Sequence, residues 1–134
     1  MTPTDTPIPV VAAVIRRDGR YLLGRRPIGK QHGGLWEFPG GKIDAGETLL
    51  EATARELEEE LALEVAEIGA TLFSAGDDNS DFVIHFVEAI AVGEPEALEH
   101  SHLGWFTPSE LRGMALAPSD ARFVQLLMDA AKGG

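Results

Sequence analysis

Glu56, Glu59 and Glu60 stand at spacings of three and four, which on a helix brings their carboxylates close together. Like charges so placed repel unless a cation sits among them, and a hard divalent ion with oxygen ligands is the natural cation. The helix is legible from Leu50, Ala54, Leu57 and Leu61, one apolar stripe at helical period, which predicts a helix over Glu47 to about Leu61 with the three glutamates facing away from the stripe. Taken alone, an acidic run such as Glu51, Glu56, Glu58, Glu59 and Glu60 is usually a solvated face. The residues before it argue for more. Pro39-Gly40-Gly41 reads as a tight turn that lets backbone approach a ligand, and an ion pair between Glu47 and Arg55 would hold that loop against the helix.

Gly41, Glu47 and Arg55-Glu56-Leu57, followed by Glu59-Glu60, keep fixed gaps that resemble the box of the Nudix hydrolases. One position departs from the pattern: Ala62 stands where the family usually has Gly. Either the helix ends left-handed there and Ala is strained, or the helix ends differently.

The resemblance implies an α+β domain, an αβα sandwich with a mixed β-sheet, and hydrolysis of a nucleoside diphosphate linked to another group. It implies Glu56, Glu59, Glu60 and the main-chain carbonyl of Gly40 as metal ligands, with Glu59 catalytic. Glu99, in Leu98-Glu99-His100, matches a further metal-binding carboxylate or general base. Arg55 would orient Glu56 or pair with Glu47, and Gly41 and Glu47 would be structural. Arg26 matches a substrate-contacting arginine, a residue type suited to phosphate through paired N–H donors. Lys42 would face the phosphates, and Phe38 would line the pocket. The cofactor would be Mg²⁺, with Mn²⁺ as substitute, since the ligands are oxygens and the chain has no Cys. His32, His85, His100 and His102 read as packing or surface residues, and Trp36 and Trp105 as core.

Within the family the chain is most similar to MutT-type nucleoside triphosphate pyrophosphohydrolases, through Leu22-Leu23-Gly24-Arg25-Arg26 and Trp36 to Lys42. Leu116-Ala117-Pro118-Ser119-Asp120 is also similar to the bacterial CTP pyrophosphohydrolase branch. The products would be a nucleoside monophosphate and pyrophosphate. ADP-ribose hydrolases often carry a Pro after the box, but none lies between Leu63 and Glu94, and the only Tyr, Tyr21, is not where dinucleoside polyphosphate hydrolases often have one. Asp120 falls where relatives that remove oxidised guanine nucleotides have Asn. An ionised Asp120 offers acceptors only and so favours a base that presents an amino group, such as cytosine. Acting on 8-oxo-dGTP, and serving as a non-catalytic nucleotide sensor, are the alternatives.

The composition agrees. The 134 residues are 44% apolar, enough for one domain over residues 1–134. A net charge of −11 should repel nucleic-acid backbones, so a small nucleotide bound through local Arg or Lys and metal is the expected partner. No apolar run is long enough for a membrane span and no basic-then-apolar leader is present, so a cytoplasmic monomer or homodimer is expected.

The elements that must position these groups are predicted in order. Residues 1–7 are a frayed lead-in. Strands follow over Ile8–Arg16 and Arg20–Arg26, joined by an Asp18-Gly19 hairpin turn. A Gly-rich loop over 27–34 precedes a short strand at Trp36–Phe38. After the helix come strands over Val65–Ala75 and Asp81–Val92 around a turn at 76–80, then Leu103–Phe106. A brief helix starts at Pro108, and a last helix opens at Pro118-Ser119 with Ser119 as N-cap.

Overall fold

The computed structural model describes residues 7–76 and 81–133. The lead-in, apart from Pro7, and most of the 76–80 turn lie outside the described residues. Two sheets carry the architecture. The first has the order β5-β1-β7-β6, from Gly40–Lys42, Ile8–Val14, Phe82–Val92 and Glu64–Gly76. It is mixed: β1 pairs β7 in parallel, from Ile8 opposite Phe82 to Val14 opposite Glu88, and the other pairings are antiparallel. In the second, β3 (Arg20–Arg25) pairs with β2 (Arg16–Arg17), β4 (Trp36–Glu37) and β8 (His102–Phe106). Asp18 and Gly19 both take positive φ, 52° and 78°, as a two-residue hairpin turn requires.

Helices cover both faces of the mixed sheet, giving the expected α+β sandwich. Helix α1 (Leu49–Leu61) lays Ala52, Leu57 and Leu61 against Val11, Ala13, Val87 and Ala89. Helix α3 (Pro118–Gly133) lays Phe123 and Val124 against Ala12, Val14 and Phe86 on the other side. The intervening α2 (Pro108–Leu111) is a single turn. Thr48 and Thr107 each begin a helix with a capping box, reciprocally bonded to Glu51 and Glu110. Pro118, whose fixed φ suits a first helical position, is where α3 starts, so Ser119 lies inside the helix and is not its N-cap.

Two expectations about the box are corrected. Gly40–Lys42 is a strand, not a turn: Val11 pairs with Gly41 and Ala12 with Gly40. Glycine is needed there for space, since a Cβ on Gly40 would lie 1.8 Å from the Val11 carbonyl oxygen. The buried face of α1 is also rotated from the apolar stripe. Leu50 is 45% exposed, whereas Ala52, Thr53 and Glu60 are buried. Thr53 is tolerated because its hydroxyl donates to the Leu49 carbonyl at 2.7 Å.

Ala62 settles the open question of how α1 ends. It is left-handed, at φ 56° and ψ 33°, with its N–H bonded to the Glu58 carbonyl. An L side chain in that region costs about 1–2 kcal/mol, part of which glycine's greater unfolded-state entropy offsets. Ala62→Gly should therefore stabilise the protein by about 0.5–1 kcal/mol. A urea melt in which the variant has the lower midpoint would reverse that assignment.

Candidate active site

Arg55 organises the acidic helix. Its Nε and Nη2 donate to the two oxygens of Glu47 at 2.8 and 2.9 Å, a two-pronged pair that a guanidinium makes and an ammonium does not. Its Nη1 donates to Glu56 at 2.7 Å and lies 3.5 Å from Glu59. Nη2 also reaches the carbonyl of Lys42, so the box strand β5 and the helix are joined through one side chain. Arg55 is thus bonded to Glu47 and to Glu56 at once. The Arg55 hydrogen bonds hold the Glu47 carboxyl down at about 2, helped by the Asp44 N–H, and the two glutamates raise the Arg55 pKa further above its usual value.

Glu56 and Glu60 point inward, one turn apart. Gly41 makes the room: a Cβ there would be 2.4 Å from a Glu56 carboxylate oxygen. Glu60 is only 5% exposed. Burial raises its pKa far above the carboxylate range, and Glu56, Glu37 and Glu99 add to the shift. The expectation that all three glutamates face away from the core is corrected, because only Glu59, with its side chain 53% exposed, does so.

The loop carrying Glu99 is delivered by the end of α1 itself. The carbonyls of Glu60 and Leu61 accept from the backbone N–H groups of Leu98 and Glu96, at 3.1 and 2.8 Å. This brings Glu99 to the mouth of a cleft of about 470 Å³ whose walls include Gly40, Glu56 and Glu60. Arg26 and Lys30 stand on the cationic side of the same cleft.

Two groups that the sequence reading passed over complete the cleft. Glu37 accepts from Arg26 Nη1 at 3.2 Å, and the His100 Nε2 lies 2.9 Å from its other oxygen. Their signals were weak: Glu37 sat in a strand between aromatic residues, and His100 was one of four ambiguous histidines.

Phe38, Lys42 and Asp120 are not among the cleft's lining residues. Phe38 is 3% exposed and packs edge-on against Phe86 and Phe123, so its ring belongs to the core and does not line the cleft. Lys42 follows Gly41 on a strand and points to the opposite face, where its ammonium lies 5.3 Å from the Phe82 ring centroid. Asp120 is buried and accepts from the Phe38 N–H at 2.8 Å. Burial pushes its pKa up to about 8, with the Glu37 charge adding to the shift, so the carboxyl carries a proton at neutral pH. The acceptor-only premise for Asp120 is corrected accordingly.

That shift fixes a stability signature. The folded pKa lies above the unfolded one, so the contribution of Asp120 is full below about pH 4 and is lost as pH rises through about 8. Asp120→Asn keeps an oxygen for Phe38 and cannot ionise. Its melting temperature should match the wild type at pH 4 and exceed it at pH 9, and equal melting at both would remove the burial argument.

A wall of oxygen donors that raises the pKa of one of its own members suits a divalent cation. Among the described residues no three acidic or histidine side chains are already gathered into a closed shell. Residues 6–127 match the NUDIX domain family.

The chain belongs to the Nudix hydrolase family.

Nudix hydrolases use divalent metal ions, and this donor set fits one. The enzyme is 41% identical to the CTP pyrophosphohydrolase of Escherichia coli K12 over 90% of this chain and 91% of that one. It is 32% identical to the 8-oxo-dGTP diphosphatase of Haemophilus influenzae, over 91% and 92%. The solution structure of the E. coli ORF135 protein superposes with a TM-score of 0.81 at 36% identity, covering 96% of this chain and 94% of that one. Among the described residues of this Nudix hydrolase, no helix is long and apolar enough to cross a membrane.

Proposed function

We propose that this enzyme hydrolyses nucleoside triphosphates to the monophosphate and pyrophosphate with Mg²⁺, and that cytosine nucleotides, plain or modified, are its preferred substrates. The observation that carries this reading is the cleft itself, whose lining brings the carboxylates of Glu56, Glu60 and Glu99 together with Arg26 and Lys30. A polyphosphate chain needs both. Mg²⁺, when bound, offsets phosphate charge and makes water a better nucleophile. Glu56, Glu59, Glu60 and the Gly40 carbonyl would hold it, and Glu99 would take a proton or a ligand position. Arg26 clasps phosphate oxygens. The enzyme works in the cytoplasm on free nucleotides.

Asp120 is buried behind the cleft, so in this reading it bears on the base from beneath, through the Phe38 backbone it holds and through its charge near Glu37 and Arg26. Cytosine is favoured by the likeness to a CTP pyrophosphohydrolase. A second reading, 8-oxo-dGTP, draws on the protonated Asp120, which like an amide offers both donor and acceptor, and on the likeness to an 8-oxo-dGTP diphosphatase.

The test is kcat/KM for CTP, dCTP, 5-methyl-dCTP, dGTP and 8-oxo-dGTP, with wild type and Asp120→Asn, at pH 6.5 and pH 9. Excess chelator should abolish turnover in every case, and full activity in chelator would end the metal assignment. Wild type should favour the cytosine nucleotides. The two proteins should rank substrates alike at pH 6.5 and diverge at pH 9, where Asp120 ionises. Identical ranking at both would show that Asp120 does not read the base, and a preference for 8-oxo-dGTP would select the second reading.

A further inference from the structure

Strand β3 runs between β4 and β8, and Gly24 on it faces Glu37 on one side and Leu103 on the other. Paired residues on neighbouring strands project from the same face, so any side chain at position 24 would stand beside the Glu37 carboxylate. The space is taken instead by an imidazole from elsewhere. A Cβ on Gly24 would lie 2.5 Å from the His100 Cγ, 2.6 Å from its Cδ2 and 2.8 Å from its Nδ1, so the ring lies flat on the glycine. Backbone bonds bring it there: Leu98 N–H to the Glu60 carbonyl before it, and Ser101 N–H to the Arg25 carbonyl at 2.9 Å after it.

The ring is buried, its side chain 4% exposed. Nε2 is 2.9 Å from Glu37 Oε2 and 3.9 Å from Glu60 Oε1, so Nε2–H donates into the nearer Glu37 carboxylate. Nδ1 is buried with no hydrogen-bond partner. An orphaned buried acceptor is a cost that an apolar side chain of similar volume would not carry. Space filling alone therefore does not account for an imidazole here, whereas the bond to Glu37 does. Arg26 Nη1 donates to both oxygens of Glu37, Oε1 at 3.2 Å and the His100-bound Oε2 at 3.3 Å, while Arg26 Nε donates to the Gln31 carbonyl at 2.6 Å. The guanidinium is thus held between a fixed carboxylate and a loop carbonyl.

We propose that His100, seated on Gly24, is a positioning residue that orients Arg26 toward the substrate's phosphates by way of Glu37. The inference rests on the reading of Arg26 as a phosphate contact. Bonded to Nε2–H, the Glu37 carboxylate has one oxygen committed and one rotamer favoured. Released from it, the carboxylate loses the anchor on Oε2 and can turn about its side-chain torsions, carrying the guanidinium it holds away from the phosphates. The loss should fall on substrate affinity more than on the chemical step.

The experiment is a double-mutant cycle on the Mg²⁺-loaded enzyme. It reads KM and kcat for CTP and the calorimetric Kd for its α,β-methylene analogue, with a thermal melt of each variant to confirm folding. His100→Leu should raise KM and Kd about tenfold, with kcat within about threefold of wild type. His100→Gln, which returns an amide N–H near the Nε2 position, should restore both constants to within about threefold. Gly24→Ala, which displaces the ring without touching it chemically, should reproduce His100→Leu. Arg26→Ala should weaken binding at least as much, and adding His100→Leu to it should change nothing further, because the histidine acts only through the arginine. Full additivity of the Arg26 and His100 changes overturns the inference, as does a Gln variant as impaired as the Leu variant. An Arg26→Ala enzyme with unaltered Kd overturns the phosphate assignment as well, and that result is distinct from the other two.

Discussion

Glu60→Gln should lower kcat/KM by about 100-fold or more while raising the melting temperature measured in chelator. The two effects share one cause. Glu60 is buried beside Glu56, and without a cation the fold must keep its carboxyl protonated. Glutamine has the same shape and no charge to neutralise, but it removes a negative ligand from the metal. The pH dependence gives the sign. The folded pKa is raised, so the wild type in chelator loses stability as pH rises above the usual carboxylate range, and the variant's advantage should grow from pH 5 to pH 9. Saturating Mg²⁺ should reverse the order, because the ion stabilises whichever protein binds it better. A variant with wild-type kcat/KM, or one less stable than wild type in chelator, would contradict the placement of Glu60 at the metal.

Arg55→Leu should be as severe for activity, about 100-fold or more, and should also lower the melting temperature. One guanidinium holds Glu47 through two bonds, Glu56 through a third and the Lys42 carbonyl through a fourth. Its removal leaves the Glu47 and Glu56 carboxylates facing each other and unties β5 from the helix. Arg55→Lys should recover little, since a single ammonium cannot span Glu47 and Glu56 together. The Glu47 pKa is depressed to about 2, so the stabilisation is present above the ordinary carboxylate range and lost as pH falls toward 2. The gap in melting temperature between wild type and the Leu variant should therefore close in acid. A lysine variant with wild-type activity and melting would show that the fork does not matter.

Much of this was legible because the spacing of the box glutamates and the position of Arg55 are local facts of a helix. Leu57 and Leu61 were read as core and are core. Leu50 misled because hydrophobicity is a poor guide on a helix that buries its chemistry. Thr53 and Glu60 occupy inward positions that the apolar stripe would assign to leucines. The short strand β5 was hidden by its glycines, which signal turns in a sequence but serve here for close approach to Val11 and Glu56. Phe38 was misplaced because an aromatic ring beside a pocket motif suits stacking as well as packing, and only the surrounding Phe86 and Phe123 decide. Glu37 and His100 meet through a strand pairing and a loop far along the chain, and no local window contains both.

The parallel pairing of β1 with β7 sets how the enzyme is made. Ile8 meets Phe82 and Val14 meets Glu88, so the centre of the mixed sheet joins the beginning of the chain to its later half. A ribosome that has synthesised the whole box, through Leu63, has not yet made the strand that backs it, the loop that carries Glu99, or the Phe86 and Phe123 that enclose Phe38. At about 5–20 residues per second the acidic helix waits several seconds with Leu57 and Leu61 uncovered. Such long-range pairing also slows refolding relative to a helical bundle of equal length, which needs about microseconds to milliseconds. The nascent chain therefore carries an acidic helix with an uncovered apolar face until β7 follows it, and the site is assembled only once the Glu99 loop has been made.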